Sequence, residues 1–266
     1  MLASPLFITI VKGTLMKEIT LYEGEHIDEV NDNISLIQRD DGLKLGTDAL
    51  LLASYIKNSP NSRAIEFGGG SGIISLLCAQ RGKLKEILCV EVQKEFSDII
   101  SRNISLNGLK NKIKSVCADI RDIQNYGEGE YDVVFTNPPY MISSGGYMNK
   151  HDEKTIARHE IFGNINDFCL AASKKLKYGG LFYCVYRPDR ISDLMYSLRQ
   201  NGIEAKKLTF VHANTDSAPS MLLLEAKKGA KSGCILTKPL FIYKDSTNTE
   251  YTEKTKEIYE KGFFSN

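Results

Sequence analysis

Several features that mark particular protein classes are missing from this sequence of 266 residues. Tryptophan is absent, and the 34 basic residues nearly balance the 33 acidic residues, which excludes a global charge attraction to nucleic acid or to an anionic membrane. The six cysteines include no C-x-x-C pair and mostly lie in apolar runs. This pattern indicates reduced, buried thiols and gives no sign of a disulfide scaffold or a metal site.

Long apolar runs are also missing. The stretch 6–11 is too short to span a membrane, and it has neither the basic region nor the small-residue cleavage site of a signal peptide. With 42% hydrophobic and 25% charged residues, the composition is typical of a soluble globular domain. We therefore expect a cytoplasmic protein with no membrane partner, in which residues 1–15 are an extension ahead of Met16.

Among the features that are present is an apolar run that ends in two prolines. The segment 131–135 leads into Thr136-Asn137-Pro138-Pro139-Tyr140. Because neither proline can continue a helix or donate to a sheet, the strand must end here in a rigid loop. The Asn137 amide oxygen and the Pro138 carbonyl are acceptors, and Tyr140 offers a flat apolar face. The loop suits a planar substrate that carries an NH2 group, although Pro-Pro alone is compatible with a plain strand-ending turn.

A glycine-rich turn precedes this loop in the chain. The strand 63–67 leads into Gly68, Gly70 and Gly72, which have G-x-G-x-G spacing, and then into an apolar helix that starts at Ile73. Strand, glycine turn and helix are the first unit of a nucleotide-binding α/β fold, in which the missing Cβ atoms let a ligand approach the backbone. The dinucleotide fingerprint requires glycine or alanine where Ile73 stands, which disfavours a nicotinamide-dependent oxidoreductase.

Acidic residues follow the next two predicted strands. The strand 86–90 ends at Glu91 and the strand 113–117 ends near Asp119, with a helix over 94–107 between them. A carboxylate at the first position can accept both hydroxyls of a ribose, and one at the second can accept an adenine amine. Each alone is compatible with a solvated strand end. Their succession after the glycine turn favours a nucleotide site.

Strands and helices continue to alternate toward the C-terminus. The predicted elements are a helix over 165–177 that ends at Gly179-Gly180, a strand over 181–186, a helix from Pro188 to Asn201, and adjacent strands over 203–211 and 220–226. This order predicts an α/β fold with a Rossmann-like seven-stranded, mostly parallel sheet, one antiparallel strand and helices on both faces. Nearer the N-terminus, Thr47 is predicted to cap a helix that runs to about Lys57.

Together these residues resemble a known family. The glycine turn, the two strand-end carboxylates and the Asn-Pro-Pro-Tyr loop are similar to those of class I S-adenosylmethionine-dependent methyltransferases that methylate amino groups. The segments Gly46-Thr47-Asp48 and Ala157-Arg158-His159-Glu160 resemble the bacterial small-domain methyltransferases, which are typified by a tRNA adenine N6-methyltransferase. The sequence departs from the family pattern at Gly69, where Thr or Cys is usual, and at Glu66, where Asp is common.

The resemblance implies S-adenosylmethionine as the cofactor, tRNA as the partner and N6 of an adenine as the methyl acceptor. It implies that Asn137, Pro138 and Tyr140 hold the target base, without a catalytic histidine and without a metal. The implied cofactor contacts are Glu66, Gly68, Gly70, Gly72, Glu91, Asp119 and Thr47. The basic residues expected to hold RNA phosphates are Lys150, Lys154, Arg158 and Arg187.

Other functions stay open at this point. The acceptor could also be a guanine amine of ribosomal RNA or a protein glutamine amide, and a non-catalytic cofactor-sensing or RNA-binding module is the alternative from another class. We divide the chain into an N-terminal extension with a lid or hairpin at 1–40, a methyltransferase domain at 41–245 and a C-terminal tail at 246–266.

Overall fold

A computed structural model describes residues 6–12, 15–42, 45–139 and 163–264. Within these ranges the strands are β1 (Leu6–Lys12), β2 (Leu15–Leu21), β3 (Glu25–Asn31), β4 (Ile34–Arg39), β5 (Ser59–Phe67), β6 (Leu84–Glu91), β7 (Ile113–Cys117), β8 (Tyr131–Thr136), β9 (Leu176–Tyr186), β10 (Ile203–His212), β11 (Pro219–Lys228), β12 (Ile235–Leu236) and β13 (Leu240–Phe241). The α-helices of the same ranges are α1 (Thr47–Tyr55), α2 (Ile73–Gln80), α3 (Lys94–Leu106), α4 (Ile165–Lys175), α5 (Ile191–Gln200) and α6 (Glu253–Lys261), with 3-10 turns at Ile123–Asn125 and Pro188–Arg190.

The central sheet contains seven long strands in the order β7-β6-β5-β8-β9-β11-β10. Six of them run in one direction, while β11 runs antiparallel to both of its neighbours, β9 and β10. The two-residue strands β12 and β13 pair with β10. The prediction of a seven-stranded, mostly parallel sheet with one antiparallel strand is therefore confirmed.

The strand order reverses at β5. The chain passes from β5 outward to β6 and β7, and then returns to β8 on the other side of β5. Phe67 at the end of β5 pairs with Thr136 at the end of β8, and the Thr136 hydroxyl donates to the Phe67 carbonyl oxygen at 2.8 Å. Open parallel sheets bind ligands at the carboxyl ends of the strands where the order reverses. The glycine turn and the Asn-Pro-Pro loop therefore start side by side at this point.

Helices cover both faces of the sheet, as predicted. Alternate side chains of a strand point to opposite faces, so Ala64 and Ile65 of β5 enter two different hydrophobic cores. The first core includes residues of α1, α2, α3 and α6, and the second includes residues of α4 and α5. The central strands are apolar on both faces because neither face meets water.

Two hairpins precede the main sheet, β1 with β2 and β3 with β4. Side-chain amides of α3 and of its C-terminal capping residue hold the second hairpin. Asn103 Oδ1 accepts the Ile37 N–H at 2.6 Å, and Asn107 Oδ1 accepts the Ser35 N–H at 3.0 Å. Asn103 Nδ2 also donates to the Ser71 carbonyl oxygen at 2.9 Å, so the hairpin is linked to the glycine turn through one buried amide.

The predicted boundary between α4 and β9 is wrong. The helix ends at Lys175 and the strand begins at the next residue, so Gly179 and Gly180 lie inside β9 and do not terminate a helix. The physical reason is an irregularity in the pairing of β8 with β9, where residues 177–180 lie opposite Asp132 alone. Gly179 has a φ of +80°, which glycine adopts without strain.

The C-terminal segment packs against the main domain. Thr252 caps α6 by accepting the Thr255 N–H at 3.2 Å, and Ile258 is fully buried in the core that α1 also enters. Of the cysteines, Cys117 and Cys234 are exposed and the other four are buried. No helix in the described part of the chain is long and apolar enough to cross a membrane. The domain boundaries at residues 40 and 245 stay a prediction.

Candidate functional site

A cavity of about 180 Å³ lies at the carboxyl edge of the sheet, where the strand order reverses. It brings together five of the residues that the sequence singled out, which are Gly68, Gly70, Glu91, Asp119 and Asn137. The remaining lining residues are Ser71, Val90, Val92, Gln93, Phe96, Ile120, Pro139 and Phe168. The cavity thus combines apolar walls with carboxylate and amide oxygens.

The glycine turn has a backbone that requires glycine. Gly68, Gly70 and Gly72 have φ angles of +68°, +56° and +82°, which L-residues with a side chain rarely adopt. A Cβ at Gly70 would point into open space, so the backbone here is accessible to a ligand. Gly72 has a different function, since it is the residue directly before α2 and lies against Ile100.

Gly69 is the position at which the sequence departs from the family pattern. A Cβ on this residue would lie 2.2 Å from Cys89 Sγ and 3.0 Å from Ile100 Cδ1. The thiol of β6 therefore occupies the space that a side chain at position 69 would need. Glycine at position 69, where the family usually has Thr or Cys, therefore leaves room for the Cys89 side chain of the neighbouring strand.

Glu91 lies at the end of β6 with only 5% of its surface exposed. Its Oε2 accepts the Gly70 N–H at 3.0 Å and its Oε1 accepts the Gln93 N–H at 2.9 Å. Burial raises the pKa of this carboxyl. Because each carboxylate oxygen has two acceptor positions, Glu91 can still accept hydroxyl hydrogens from a ligand in the cavity.

Glu66 lies beneath the glycine turn and is 1% exposed. It is not among the residues that line the cavity in the described part of the chain. Its Oε2 accepts from the hydroxyl of Ser75 and from Cys89 Sγ, while its Oε1 has no hydrogen-bond partner among the described residues. Burial raises the pKa of Glu66 to about 7.

Asp119 lines the cavity but is already engaged by a neighbour in sequence. Arg121 Nε donates to its Oδ1 at 2.9 Å, and the Arg121 backbone N–H donates to the same oxygen at 2.8 Å. These hydrogen bonds lower the pKa of the Asp119 carboxyl. The side chain is 31% exposed, so part of the carboxylate remains accessible to a ligand.

Asn137 follows β8 and reaches the cavity beside the glycine turn. Its Nδ2 donates to Asp48 Oδ2 of α1 at 2.8 Å. Pro138 is buried and Pro139 contributes to the cavity wall. The rigid loop predicted from the two prolines therefore places the amide of Asn137 at the cavity.

The predicted capping role of Thr47 is wrong. Gly46 is the residue before the first turn of α1, and it has no side chain with which to cap the helix. Thr47 is the first residue of the helix and lies beside the half-buried Tyr259 of α6, whose pKa is raised to about 12 by desolvation. Thr47 is not among the cavity-lining residues of the described ranges, and its proposed cofactor contact stays a prediction.

Several predicted residues fall outside the described ranges. These are Tyr140, Lys150, Lys154, Arg158 and the rest of the segment 157–160. Arg187, which is described, donates to Asp189 at 2.6 Å. No group of three or more potential metal ligands occurs among the described residues.

Sequence reasoning missed three contributors to the site. Phe96 lies in the first turn of α3 and Phe168 in the first turn of α4, and both rings line the cavity. The signal for them was their position, because crossover helices of parallel sheets start near the carboxyl edge. The third is Asp48, whose contact with Asn137 no sequence pattern revealed.

The chain was compared with known families and proteins. Residues 40–195, more than half of the chain, match the family described as Methyltransferase small domain. A curated relative is the tRNA1(Val) (adenine(37)-N6)-methyltransferase of Phocaeicola vulgatus, which is 26% identical over 218 residues that cover 82% of this chain and 91% of that protein. The protein of the same name from Haemophilus influenzae is 26% identical over 226 residues, which cover 82% of this chain and 92% of that protein.

Solved structures show the same fold. A predicted O-methyltransferase from Agrobacterium tumefaciens has a TM-score of 0.66 and 20% identity, with coverage of 82% of this chain and 98% of that chain. TYW2 from M. jannaschii, solved in complex with AdoMet, has a TM-score of 0.53 and 18% identity, with coverage of 80% of this chain and 90% of that chain. These likenesses extend to the fold alone, and they agree with the Rossmann-like sheet described above.

Proposed function

We propose that this chain, which belongs to the methyltransferase small domain family and is an S-adenosylmethionine-dependent methyltransferase, transfers the methyl group to N6 of an adenine in tRNA. The observation that carries the proposal is the position of Asn137, whose side chain lies at the wall of the cavity beside the glycine turn. The shared name of the curated relatives supports tRNA as the substrate.

The cavity fits the chemistry of S-adenosylmethionine. We propose that Glu91 holds the ribose hydroxyls and that Asp119 accepts the adenine amine, between walls that include Phe96 and Ile120. The open space at the missing Cβ of Gly70 leaves room for the amino acid part of the cofactor. The bound cofactor supplies a methyl group on a positively charged sulfur. When it is ionised, the Glu91 carboxylate stabilises this positive charge electrostatically.

Glu66 has a supporting role in this proposal. Because it accepts a hydrogen bond from Ser75 of α2 and does not line the cavity, we expect it to hold the glycine turn and the start of α2 together. Gly72 has a similar indirect role through its packing against Ile100.

Asn137 and Pro138 are proposed to hold the methyl acceptor. The Asn137 Oδ1 and the Pro138 carbonyl would each accept a hydrogen from the target NH2, which turns the nitrogen lone pair toward the methyl group. Tyr140 would stack on the base, which must leave its helical stack or lie in a loop to enter the site. The displacement depends mainly on position and orientation, and the methylated amine loses its proton readily afterwards, so no general base is required.

RNA is the partner that this proposal requires. We propose that Arg187, together with Lys150, Lys154 and Arg158, contacts phosphates of the tRNA. A tRNA substrate also implies a cytoplasmic location.

The test is transfer of labelled methyl from S-adenosylmethionine into separate pools of unmodified tRNA, ribosomal RNA, DNA and protein, followed by nucleoside and amino acid analysis. We expect label in tRNA as N6-methyladenosine. Label in a guanine of ribosomal RNA or in a glutamine amide would agree with methyltransferase activity but contradict the proposed substrate. Label in none of the pools, from a protein that binds the cofactor, would favour a sensing module.

A further inference from the structure

The side chain of Asn137 is tied to the start of α1. Its Nδ2 donates to Asp48 Oδ2 at 2.8 Å, while Asp48 Oδ1 accepts the Ala49 N–H at 2.9 Å. A Cβ on Gly46 would lie 2.2 Å from Asp48 Oδ1. The missing side chain at position 46 therefore leaves the space that the Asp48 carboxylate occupies, which gives the Gly46-Thr47-Asp48 motif a structural explanation.

The contact determines which way the amide of Asn137 faces. An ionised carboxylate only accepts hydrogen bonds, so the NH2 end of the amide must face Asp48. The Oδ1 end, which is bonded to the same carbon, must then face away from Asp48. The two ends of an asparagine amide are nearly equal in shape, and a flip exchanges an acceptor for a donor. In the flipped state an N–H of Asn137 would oppose the N–H of a target amine.

The charge of Asp48 adds to this effect. A hydrogen bond to an ionised acceptor is roughly twice as strong as one between neutral groups. It also polarises the amide, which increases the negative partial charge on Oδ1. Asp48 lies in the first turn of α1, near the positive end of the helix dipole.

We propose that Asp48 is a positioning residue for methyl transfer, which fixes the orientation of the Asn137 amide and strengthens its Oδ1 as an acceptor. This inference rests on the proposed function, in which that oxygen accepts a hydrogen of the target amine. Since Asp48 is not among the lining residues of the cavity in the described ranges, its loss should affect turnover more than the binding of cofactor or substrate.

A purely structural role is the alternative. An acidic residue in the first turn of a helix stabilises that helix whether or not it serves a site. The chain offers a matched control in Glu253, which lies in the first turn of α6 and has a 79% exposed side chain. Glu253→Ala removes a first-turn carboxylate and leaves the Asn137 contact intact.

The first experiment compares Asp48→Ala, Asp48→Asn and Glu253→Ala with the wild type. The measurements are kcat and KM for the pool that accepts label, the cofactor Kd and the melting temperature. We expect kcat to fall about 10²-fold in Asp48→Ala, as for a small misplacement of a reacting group, with KM and Kd within about threefold. Asp48→Asn keeps an acceptor without the charge, and we expect a loss of about tenfold. Glu253→Ala should keep the wild-type kcat.

The second experiment exchanges the two side chains. In Asn137→Asp alone, two carboxylates face each other and kcat should fall at least about 10²-fold. In the double variant Asp48→Asn, Asn137→Asp, an NH2 at position 48 faces a carboxylate at position 137, which restores the hydrogen bond with its polarity reversed. We expect kcat of the double variant to be at least about tenfold higher than that of Asn137→Asp alone, at an unchanged melting temperature.

The outcomes separate the inference from the function on which it rests. Full kcat in Asn137→Ala would overturn the proposed role of Asn137 and the inference with it. A strong loss in Asn137→Ala together with full kcat in Asp48→Ala would overturn the inference alone. Equal losses of kcat in Asp48→Ala and Glu253→Ala, or no recovery in the exchanged pair, would also overturn it.

Discussion

The two sides of the cavity hold their polar side chains in different ways. On the cofactor side, at the ends of β5 and β6, Glu91 is almost fully buried and accepts hydrogen bonds from the backbone of Gly70 and Gln93. On the acceptor side, at the end of β8, Asn137 is half-buried and is held by the side chain of Asp48. Backbone geometry thus organises one side and a pair of side chains organises the other.

This difference leads to an expectation about variants. Because Glu91 is linked to the glycine turn through the Gly70 N–H, changes on this side should alter stability and cofactor affinity. A change at Asn137 should alter methyl transfer with little effect on either. The four predictions below test this separation in order of decreasing expected effect.

The largest effect is expected for Asn137→Ala. Removal of the amide should lower kcat about 10³-fold, because the target amine loses an acceptor that positions it. Isothermal titration should show a cofactor Kd within about threefold of the wild type, since the cofactor side is unchanged. Full turnover in this variant, or a large loss of cofactor affinity, would contradict the assignment of methyl transfer to one side of the cavity and cofactor binding to the other.

The second prediction concerns the pH dependence of stability through Glu66. Its pKa in the folded protein is about 7, against an ordinary value of 4.5. The folded state therefore binds the proton more tightly than the unfolded state, so the contribution of Glu66 to stability is highest below about pH 4.5 and falls as the pH rises through 7. Glu66→Gln removes this titration.

The measurement is urea unfolding of the wild type and of Glu66→Gln, without cofactor, at several pH values from 5 to 8. We expect the stability of the variant relative to the wild type to increase by up to about 3 kcal/mol across this range. A constant difference between the two proteins would show that Glu66 does not titrate in this window. Glu128→Gln is a suitable control, because the Glu128 side chain is exposed.

The third prediction tests how Gly69 and Cys89 share space. Gly69→Ala should lower the free energy of unfolding by about 2 kcal/mol, since the new Cβ would overlap Cys89 Sγ. In a Cys89→Ala background, the same substitution should cost less than about 1 kcal/mol, because the sulfur is no longer present. Equal costs in both backgrounds, measured by chemical denaturation, would contradict the explanation of the departure at Gly69.

The smallest effect is expected for Asp119→Ala. The carboxylate is partly engaged by Arg121, so its removal should weaken cofactor binding by about tenfold while the fold is retained. The matched control is Asp122→Ala, three residues further along and away from the cavity lining. If titration gives the wild-type cofactor Kd for Asp119→Ala, the proposed adenine contact is wrong.

Much of the fold was predictable because its signals are local. The apolar strands, the glycine turn and the carboxylates at the strand ends can each be recognised from short stretches of sequence. The strand Ile113–Cys117 was predicted with its observed bounds. The boundary after α4 was not predicted correctly. The glycines at 179 and 180 lie at an irregularity in the pairing of β9 with β8, which a local sequence signal does not reveal.

The candidate site was predictable only in part. Glu91, Asp119 and Asn137 were found from strand ends, and all three line the cavity. The contact of Asp48 with Asn137 joins residues far apart in the chain, and the position of Thr47 beside Tyr259 depends on how α6 packs against α1. Contacts between residues so far apart in the chain cannot be predicted from a short sequence pattern.

The sequence by itself determined the methyltransferase fold and the chemical character of each strand end, since backbone freedom at glycine, the rigidity of two prolines and the charge of a carboxylate are properties of the residues themselves. The tertiary structure decided which of these groups meet. The return of the chain to β8 beside β5 brings Asn137 to the glycine turn, and the packing of α1 brings Asp48 to Asn137. Orientation and pKa depend on such neighbours, which are set by the packing of the whole chain.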